Sequence, residues 1–417
     1  MKVSVIGLGY IGLPTSALMA SHGIEVVGVD VNQNIVDIVN QGKIHIVEPG
    51  LDILVRTSVE AGHLRATISL EKSDAFMIAV PTPFKGDHEP DLSYVELAVK
   101  AIAPLLEKGN VVILESTAPV GSTEKMLEWM QTIRPDLCFP RFDEVEADLD
   151  ISVAHCPERV LPGNVVRELV ENDRIIGGIT RQCAERAREI YNVFVEGDCL
   201  VTDCRTAELS KLVENAFRDV NIAFANELSL ISDKLDINVW ELIRLANRHP
   251  RVNILQPGPG VGGHCIAVDP WFIINSAPNE AKLIHTARLV NDSKPQFVLE
   301  QINRAEIVLG KERAEINVAC LGLAFKPNID DFRESPALYI ALQVSKMGFS
   351  KQYLVEPNIN QIPNDFDHNS IELVDLDKAL IGADIIVLLV DHKQFKEINP
   401  ELLLGKQVID TRGLWSK

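Results

Sequence analysis

A glycine-rich segment ends in a cysteine whose surroundings could support covalent chemistry. Residues 257–265 are Pro-Gly-Pro-Gly-Val-Gly-Gly-His-Cys, and Asp269 follows Cys265 by four positions. This many glycines exclude a helix or the interior of a paired strand, and predict a loop whose backbone amides approach a ligand. A thiolate there can attack an aldehyde; the adduct can still lose a hydride to form a thioester, which water hydrolyses. The residues alone leave a catalytic thiol and a small buried side chain equally open.

Polar residues also interrupt the apolar pattern of a long segment with helical periodicity. Lys211 and Asn215 lie one turn apart, so their side chains share a face of the predicted helix. A cationic amine and an amide on one face can hold an oxyanion or position a water molecule. Glu158, in Pro-Glu-Arg after a predicted strand, could act as a base on that water. The simpler interpretation, a solvated charged surface, stays open for each of them.

Cationic side chains suited to phosphate groups cluster at two places. Arg244, Arg248 and Arg251 come shortly before the cysteine loop, and Lys326 and Arg333 follow it. Guanidinium groups bind phosphate oxygens in a bidentate manner. Either cluster could therefore hold a diphosphate or a substrate carboxylate. For Arg244 and Arg248 an exposed surface charge is the better interpretation.

The cysteines and histidines favour neither a metal site nor a disulfide framework. His264 and Cys265 are adjacent, and adjacent side chains seldom bind one tetrahedral ion together. The seven cysteines are odd in number and show no C-x-x-C spacing. We therefore expect no metal and a reducing, cytoplasmic location.

The amino-terminal region carries a dinucleotide-binding pattern. Residues 7–12 are Gly-Leu-Gly-Tyr-Ile-Gly, between a predicted strand, Val3–Ile6, and a predicted helix, Leu13–His22. At such a turn the backbone and the amino end of the helix can approach a pyrophosphate. Asp30 ends the next strand, where a carboxylate accepts hydrogen bonds from the adenosine ribose and repels a 2′-phosphate, so NAD is favoured over NADP. Alternatively, Asp30 only caps the turn before Asn32.

Two later strands end in residues that could line the same edge of a parallel sheet, where ligands bind. Val-Pro-Thr-Pro at 80–83 ends one strand, and Glu-Ser-Thr at 115–117 ends the other. Thr117 is a candidate for contacting nicotinamide or a reacting water, although Ser and Thr at strand ends more often satisfy backbone groups. The residues expected at the cofactor are Gly9, Tyr10, Ile11, Gly12, Asp30, Pro81, Thr82 and Thr117.

The elements that must position these residues follow three patterns. Up to about residue 200, apolar runs alternate with amphipathic helices, which predicts a parallel sheet covered on both faces. From about Thr202 to Leu235 apolar residues recur at helical spacing, and a second α/β pattern begins near Ile316. The chain is predicted to be α/β, with two Rossmann-like open parallel-sheet domains joined by a central all-helical segment, with boundaries at 1–200, 201–309 and 310–417. The predicted strands are Val3–Ile6, Val26–Asp30, Ala75–Val80, Val111–Glu115, Ile151–His155, Asn317–Leu321, Tyr353–Val355, Asp384–Val390 and Gln407–Asp410.

Composition excludes several classes of protein. A chain of 417 residues with 46% hydrophobic positions can build two or three cores. The net charge of −19 disfavours nucleic acid and anionic lipid, because those partners require phosphates to be neutralised by Lys and Arg. We also expect no membrane insertion and no secretion, because there is no apolar run of spanning length and no signal-peptide pattern.

Together and in this order, the motifs resemble the UDP-glucose/GDP-mannose dehydrogenase family over essentially the whole chain. The matching segments are Gly-Leu-Gly-Tyr-Ile-Gly at 7–12, the helix with Lys211 and Asn215, Gly-Gly-His-Cys at 262–265, and Leu-Ala-Phe-Lys-Pro at 323–327. The resemblance implies NAD as cofactor and a four-electron oxidation of the primary alcohol of a UDP-sugar to a carboxylate. It also implies a homodimer in which Arg251 reaches the substrate of the neighbouring subunit.

The resemblance implies roles for individual residues. The expected catalytic residues are Cys265, Lys211, Asn215, Asp269, Glu158 and Thr117. The cysteine would be the nucleophile, the lysine and asparagine would stabilise the oxyanion, the aspartate would assist hydrolysis, and the glutamate and threonine would organise water. Arg333 is expected beside the cofactor and nucleotide. The residues expected at the substrate are Arg159, Val160, Leu161, Lys211, Asn215, Arg218, Arg251, Gly262 and Lys326.

The resemblance also bears on the substrate. Within the family, the pattern Pro-Glu-Arg-Val-Leu-Pro-Gly at 157–163 is associated with 2-acetamido sugars. UDP-N-acetyl-D-mannosamine is therefore the expected substrate, for a bacterial surface polysaccharide, the enterobacterial common antigen; UDP-GlcNAc and UDP-glucose are the alternatives. Leu161-Pro162 stands where the UDP-glucose branch has a second carboxylate, and His264 also departs from that branch, so the route of hydrolysis stays open.

Two other classes of protein share parts of this pattern. A two-electron dehydrogenase of the 6-phosphogluconate type would also use a helix-borne lysine and asparagine, but would not need Cys265. A non-catalytic NAD-binding protein would need only the dinucleotide site. The presence of Lys211, Asn215, Cys265 and Asp269 together argues against the latter.

Overall fold

The alternating apolar and amphipathic segments fold into sheets covered by helices. The computed structural model describes residues 1–86, 88–142, 148–161, 163–364, 366 and 370–415. The chain forms two compact units, Met1–Glu214 and Asn215–Lys417. Within the described ranges, no helix is long and apolar enough to span a membrane.

The first unit is built on an eight-stranded sheet, counted over the described residues. The strands of this unit are β1 (Lys2–Ile6), β2 (Glu25–Val29), β3 (Leu64–Thr67), β4 (Ala75–Ile78), β5 (Phe84–Lys85), β6 (Glu89–Pro90), β7 (Asn110–Leu114), β8 (Ile151–His155), β9 (Arg174–Gly178) and β10 (Cys199–Asp203). The helices are α1 (Gly12–Ser21), α2 (Gln33–Asn40), α3 (Leu51–Glu60), α4 (Ser93–Ile102), α5 (Ser122–Ile133), α6 (Val165–Glu171), α7 (Arg181–Tyr191) and the start of α8 (Cys204–Leu235). Strands β5 and β6 form a separate hairpin.

The strand order in the large sheet is β10-β9-β8-β7-β4-β1-β2-β3, so the direction of winding reverses between β1 and β4. Ligands of open α/β sheets bind at such a switch point, and the loops after β1 and β4 flank it. The pairings are parallel except that β9 runs antiparallel to β8. Strands β3, β9 and β10 were not predicted. β9 combines a buried Arg174 with Gly177 and Gly178, a composition with low strand propensity.

Both faces of this sheet are covered, as the alternation predicts. On β4, Ala75 and Met77 belong to one buried apolar cluster, whereas Phe76 and Ile78 belong to another. Because successive side chains of a strand point to opposite faces, the two clusters lie on opposite sides of the sheet. The carboxyl edge of the strands is thereby held between two packed layers.

The second unit contains a five-stranded parallel sheet in the order β13-β12-β11-β14-β15, again over the described residues. Its strands are β11 (Asn317–Leu321), β12 (Lys351–Val355), β13 (Ile371–Leu373), β14 (Ile385–Leu388) and β15 (Gln407–Asp410). Its helices, besides the larger part of α8, are α9 (Val239–Ala246), α10 (Asp269–Ser276), α11 (Lys282–Leu309), α12 (Pro336–Ser345) and α13 (Leu376–Gly382). The two Rossmann-like open sheets and the helical segment between them confirm the predicted fold class. Among the five strands of this sheet, only β13 was not predicted.

The first turn of each sheet has the same local geometry. The Leu8 amide donates to a carboxylate oxygen of Asp30 at the end of β2, at 3.0 Å. The Leu323 amide donates to Glu356 at the end of β12, at 2.8 Å. The glycine before each amide has a positive φ, +95° for Gly7. In both sheets an acidic side chain therefore fixes the turn at the switch point.

Candidate active site

The glycines of the amino-terminal fingerprint leave no room for side chains. A Cβ on Gly12 would lie 1.9 Å from the Gly7 carbonyl oxygen, and a Cβ on Gly7 would lie 2.5 Å from the Ala79 oxygen. Helix α1 begins at Gly12 with no acidic residue in its first turn, and Ile11 at its N-cap forms no side-chain hydrogen bond within the described residues. The first amides and the positive end of the helix dipole thus favour an anion. This geometry fits the pyrophosphate of NAD.

The side chains around this turn differ in exposure. Tyr10 is exposed, and the space beside Gly9 is open, with nothing within 4 Å of its Cβ position. Both carboxylate oxygens of Asp30 accept backbone hydrogen bonds, one from Leu8 at 3.0 Å and one from Asn32 at 2.9 Å. Asp30 therefore does cap the turn before Asn32. Each oxygen retains a further lone pair, so the cap also orients the carboxylate for a ribose.

Hydroxyl groups tie together the loops after β4 and β7. The Thr82 hydroxyl donates to the Thr117 carbonyl oxygen at 2.6 Å, and the Ser116 hydroxyl donates to the Val80 carbonyl oxygen at 2.6 Å. Pro81 beside them is exposed. These bonds hold the backbone of Thr117 at the carboxyl edge of the sheet, on the side of β1 where β4 lies.

Glu158 lies in a setting that changes its acidity. Burial raises the pKa of the Glu158 carboxyl to about 7, although the cations Lys211 and Arg174 oppose the shift. The Val160 amide donates to its Oε1. The Lys211 ammonium is itself buried. A carboxyl with this pKa exchanges protons readily near neutral pH, as a general base must.

The loop after Glu158 is held by hydrogen bonds and an ion pair. Arg159 pairs with Glu214 at 2.6 Å, and the exposed Leu161 donates its amide to Glu168 at 2.8 Å. Val160 packs, half-buried, against the apolar cluster of α1. Pro162 lies outside the described residues. The expected substrate residues of this loop therefore have a defined backbone.

Glu48, which was not predicted from the sequence, anchors the end of this loop. The buried carboxylate of Glu48 accepts the amides of Gly163 at 2.9 Å and Val165 at 2.7 Å. These partners are more than 100 residues away in the chain, so no local pattern marks Glu48. The structure alone identifies it as the group that fixes the start of α6.

A second group that no sequence pattern marks shares a cation with Glu158. The Tyr191 hydroxyl donates to Glu115 at 2.8 Å, and the Arg174 guanidinium lies over the Tyr191 ring at 5.5 Å. All three side chains are buried. Burial raises the pKa of the Glu115 carboxyl, and Arg174 opposes that shift. Arg174 is the cation that this cluster and Glu158 share.

In the second unit, three of the expected catalytic residues are linked. The Asn215 side-chain amide donates to Asp269 Oδ2 at 2.6 Å. The Asp269 amide donates to the Cys265 carbonyl oxygen at 2.8 Å, so Cys265 lies one turn before α10. Asp269 is buried, whereas Cys265 is partly exposed. A partly exposed thiol and an oriented carboxylate therefore lie on successive turns of one segment.

The glycines before Cys265 allow the loop to pack closely within its own unit. Protein atoms fill the places where their side chains would lie, so the loop packs tightly on the segments around β11 and β15. The approach of their backbone amides to a ligand stays a prediction. The nearest atoms to each Cβ position are Arg412 Nη1 at 2.7 Å for Gly258, Pro336 Cβ at 2.8 Å for Gly260, the Glu334 carbonyl oxygen at 2.5 Å for Gly262 and the Phe325 ring at 2.8 Å for Gly263.

The expected phosphate-binding cations lie at the surface. Arg244, Arg248 and Arg251 are exposed, and Arg244 pairs with Glu241 at 3.3 Å. Lys326 is exposed on the loop after β11. Arg244 and Arg248 thus match the simpler interpretation, a surface charge.

Arg333 is tied to its own loop and to the cysteine loop. Its side chain forms a bidentate pair with Asp331, at 3.0 and 2.6 Å. Its carbonyl oxygen accepts the Gly263 amide at 3.0 Å. The loop that follows β11 is therefore bonded directly to the segment that presents Cys265.

The other polar residues of α8 have separate tasks. Glu208 is fully buried and accepts the amides of Gly121 and Thr123 at 2.6 and 2.8 Å, which caps α5. Asp219 is also fully buried and pairs with Arg288 at 2.6 Å. Arg218, expected at the substrate, is exposed.

Comparison with known proteins supports the assignment over nearly the whole chain. Family models of the UDP-glucose/GDP-mannose dehydrogenases match in three parts, the NAD-binding domain at 1–195, the central domain at 205–293 and the UDP-binding domain at 319–417. A UDP-N-acetyl-D-mannosamine dehydrogenase of Campylobacter jejuni is 62% identical, over 97% of this chain and 98% of the relative. An NDP-N-acetyl-D-galactosaminuronic acid dehydrogenase of Ralstonia nicotianae is 58% identical, over 99% of this chain and 96% of the relative.

Solved structures agree with these matches. The structure of a UDP-D-ManNAc dehydrogenase from Pyrococcus horikoshii superposes with a TM-score of 0.87 at 38% identity, covering 99% of this chain and 96% of that one. The fold, the sequence matches and the geometry of the dinucleotide turn therefore indicate the same family. The chain belongs to the UDP-glucose/GDP-mannose dehydrogenase family and is an NAD-dependent dehydrogenase.

Proposed function

We propose that the chain oxidises C6 of UDP-N-acetyl-D-mannosamine from the alcohol to the carboxylate, consuming two NAD per sugar. The observation that carries the proposal is the partly exposed Cys265 one turn before Asp269, whose carboxylate Asn215 holds. A reaction that stopped at the aldehyde would not need this thiol. The names of the relatives from Campylobacter and Ralstonia support a 2-acetamido sugar, and the first of them supports the manno epimer.

The reaction proceeds in four steps. The C6 hydroxyl loses a proton and its carbon loses a hydride, which gives an aldehyde. The Cys265 sulfur then bonds to the aldehyde carbon, and Lys211 and Asn215 stabilise the resulting oxyanion. Loss of a second hydride from that carbon gives a thioester. Water attacks the thioester, the carbon–sulfur bond breaks, and the carboxylate and the Cys265 thiol are released. When bound, NAD accepts one hydride in each oxidation.

Three side chains take part in the hydrolysis step. The Glu158 carboxyl, with its pKa raised to about 7 by burial, takes the proton of the attacking water. Thr117, held by Thr82, orients that water, and Asp269 assists hydrolysis. Arg159, Val160 and Leu161 follow Glu158 directly and contact the sugar.

The proposal assigns one task to each part of the chain. Residues 1–200 bind NAD, residues 201–309 supply the catalytic helix and the dimer contact, and residues 310–417 bind UDP through Lys326 and Arg333. Gly262 contacts the substrate through its backbone, because its Cβ position is already filled. The uronic acid formed would enter a bacterial surface polysaccharide, such as the enterobacterial common antigen, from the cytoplasm.

We propose that the partner is a second copy of this chain, bound through α8. One stripe of that helix carries Phe217, Phe224, Ile231 and Leu235, with exposures of 70%, 52%, 47% and 61%. The first three are seven residues apart, which is the spacing of a helix–helix seam. A two-fold axis across α8 would cover this stripe with its own copy. The dimer would also bring Arg251 to the substrate of the neighbouring subunit.

Replacing Cys265 tests the mechanism. We expect wild type to release two NADH per UDP-N-acetyl-D-mannosamine, and Cys265→Ala to lose acid formation while still forming aldehyde, which hydroxylamine can trap. Cys138→Ser, a change at an exposed cysteine, is the matched control and should behave as wild type. Acid production by Cys265→Ala at the wild-type rate would exclude the thioester route, and one NADH per sugar from wild type would indicate a two-electron enzyme. A higher kcat/KM with UDP-glucose or UDP-GlcNAc would overturn the substrate assignment.

A further inference from the structure

Four side chains with no part in the proposed chemistry form a buried polar chain between α8 and α11. Asp219 and Asn226 lie on α8, and Arg288 and Asn291 lie on α11, each exposed by 2% or less. Arg288 donates to Asp219 Oδ1 at 2.6 Å, and the Asn291 amide donates to the same oxygen at 2.8 Å. The Asn226 amide donates to Asn291 Oδ1 at 2.8 Å.

This buried chain ends on the cysteine loop. Asn226 Oδ1 accepts the backbone amide of Gly258 at 2.9 Å, seven residues before Cys265. The guanidinium of Arg412 approaches Gly258 as well, with Nη1 2.7 Å from its Cβ position. Arg412 is itself fixed by Asp391, at 2.9 Å. The loop is therefore held at Gly258 between α8 and the segment after β15.

The direction of each hydrogen bond is set by the one before it. An ionised carboxylate only accepts, so Asp219 makes Asn291 present its NH₂ group to α8 and its oxygen to Asn226. Asn226 must then present its own NH₂ group to Asn291 and its oxygen to Gly258. Because the groups are buried, a reversed amide would leave polar atoms without partners, which is costly. The observed arrangement pairs the side-chain oxygen and the NH₂ group of both Asn226 and Asn291, and it places an acceptor at the loop.

We propose that Asn226 is a positioning residue for Cys265: through Gly258 it fixes the loop that presents the thiol. The inference rests on the nucleophilic role proposed above for Cys265. A residue needed only for packing α8 against α11 would change stability without changing the reactivity of that thiol. The two bonds of Asn226 allow these roles to be separated, because its oxygen serves the loop and its NH₂ group serves α11.

Two substitutions distinguish the effects of the two hydrogen bonds of Asn226. Asn226→Ala removes both, whereas Asn226→Asp keeps an acceptor for Gly258 and loses the NH₂ donor to Asn291. Ser232→Ala is the matched control, since Ser232 is buried on the same helix and its hydroxyl has no partner among the described residues. In each full-length variant, the alkylation of Cys265 by iodoacetamide is measured by peptide mass spectrometry. The exposed Cys138 of the first unit is the internal reference.

We expect Asn226→Ala to raise the Cys265/Cys138 labelling ratio severalfold, because the loop loosens, and to lower kcat by about 10- to 100-fold with KM for UDP-N-acetyl-D-mannosamine within about twofold. Asn226→Asp should stay closer to wild type in labelling and kcat even where its melting temperature falls as far as that of the alanine variant. Ser232→Ala should match wild type in both.

The inference is overturned if Asn226→Ala labels and turns over as wild type, or if Asn226→Asp loses kcat as fully as Asn226→Ala. If Asn226→Ala does not fold, a kcat of Asn226→Asp about 10-fold or more below that of Ser232→Ala overturns the inference, because Asn226→Asp retains the acceptor for Gly258. Failure of the proposed function has a different signature, since Cys265→Ala would then still make acid while the labelling ratios of the Asn226 variants remain measurable.

Discussion

Gly263, two residues before Cys265, offers a quantitative test of how tightly the cysteine loop is packed. Its φ is +86°, in the left-handed region, and a Cβ there would lie 2.8 Å from Cε2 of Phe325 and 3.1 Å from two further ring atoms. Gly348 in the same unit has nearly the same φ, +82°, but nothing within 4 Å of its Cβ position. Alanine at both sites therefore separates backbone strain from steric contact.

The two substitutions should differ in cost. A side chain in the left-handed region costs roughly 1–2 kcal/mol. Overpacking against a fixed ring adds about 1–3 kcal/mol. We therefore expect Gly348→Ala to lower the free energy of unfolding by about 1–2 kcal/mol and Gly263→Ala by about 2–5 kcal/mol. Because Cys265 is two residues further on, Gly263→Ala should also lower kcat by up to about 100-fold.

Equilibrium urea unfolding followed by tryptophan fluorescence measures the first quantity, and NADH release with saturating UDP-N-acetyl-D-mannosamine measures the second. A Phe325→Leu change in the Gly263→Ala background should recover part of the stability, because the leucine lacks the ring atoms nearest to the new Cβ. The coupling energy from this double-mutant cycle should lie at about 1–3 kcal/mol.

Equal destabilisation by Gly263→Ala and Gly348→Ala would refute the reasoning, since it would show that the ring contact contributes nothing. A zero coupling energy with Phe325→Leu would have the same meaning. An unchanged kcat in Gly263→Ala, alongside the expected loss of stability, would show that packing of the loop does not set the position of the thiol.

Two further predictions concern ionisation and assembly. The Glu158 carboxyl has a pKa of about 7 in the folded protein against an ordinary value of 4.5, so the folded state keeps a proton that the unfolded chain has lost, and its stability falls as pH rises through this window. In Glu158→Gln, the melting temperature relative to wild type should therefore rise between pH 4.5 and 7. We also expect the hydrolysis rate of wild type to increase with pH near 7 and this increase to be absent from the variant. A pH profile identical to wild type would contradict both expectations. Phe224→Asp, on the exposed stripe of α8, should give a monomer in sedimentation velocity with a large loss of activity. Phe224→Asp that sediments as a dimer would remove the proposed interface.

Local patterns predicted the elements that depend on neighbouring residues. The fingerprint at 7–12 could be recognised because a strand, a tight turn and a helix follow one another without interruption. The bounds of α8 were close to those expected because apolar spacing over 32 residues leaves little ambiguity. β9 and β13 were missed because short strands with polar or glycine residues carry a weak pattern.

The residues of the candidate site likewise include some that local spacing reveals and others that it does not. Cys265 and Asp269, four residues apart, could be associated from spacing alone, and the structure shows the backbone bond between them. Glu48, Arg174 and Asn226 could not be predicted, because the sequence does not distinguish a buried polar residue from an exposed one until its distant partner is known. The bond of Asn226 to Asn291 spans 65 residues, and that of Glu48 to Gly163 spans 115.

The sequence by itself determined the chemistry available to this protein: a dinucleotide turn, a thiol beside a carboxylate, and a lysine and asparagine one turn apart on a helix. The positions of residues along the chain are enough to specify such features. Only the tertiary structure decided how they are held. It raised the pKa of Glu158 by burying it, filled the space beside the loop glycines with Phe325 and Arg412, and bonded Gly258 to Asn226. Burial and long-range hydrogen bonds depend on which distant segments pack together, and no local pattern contains that information.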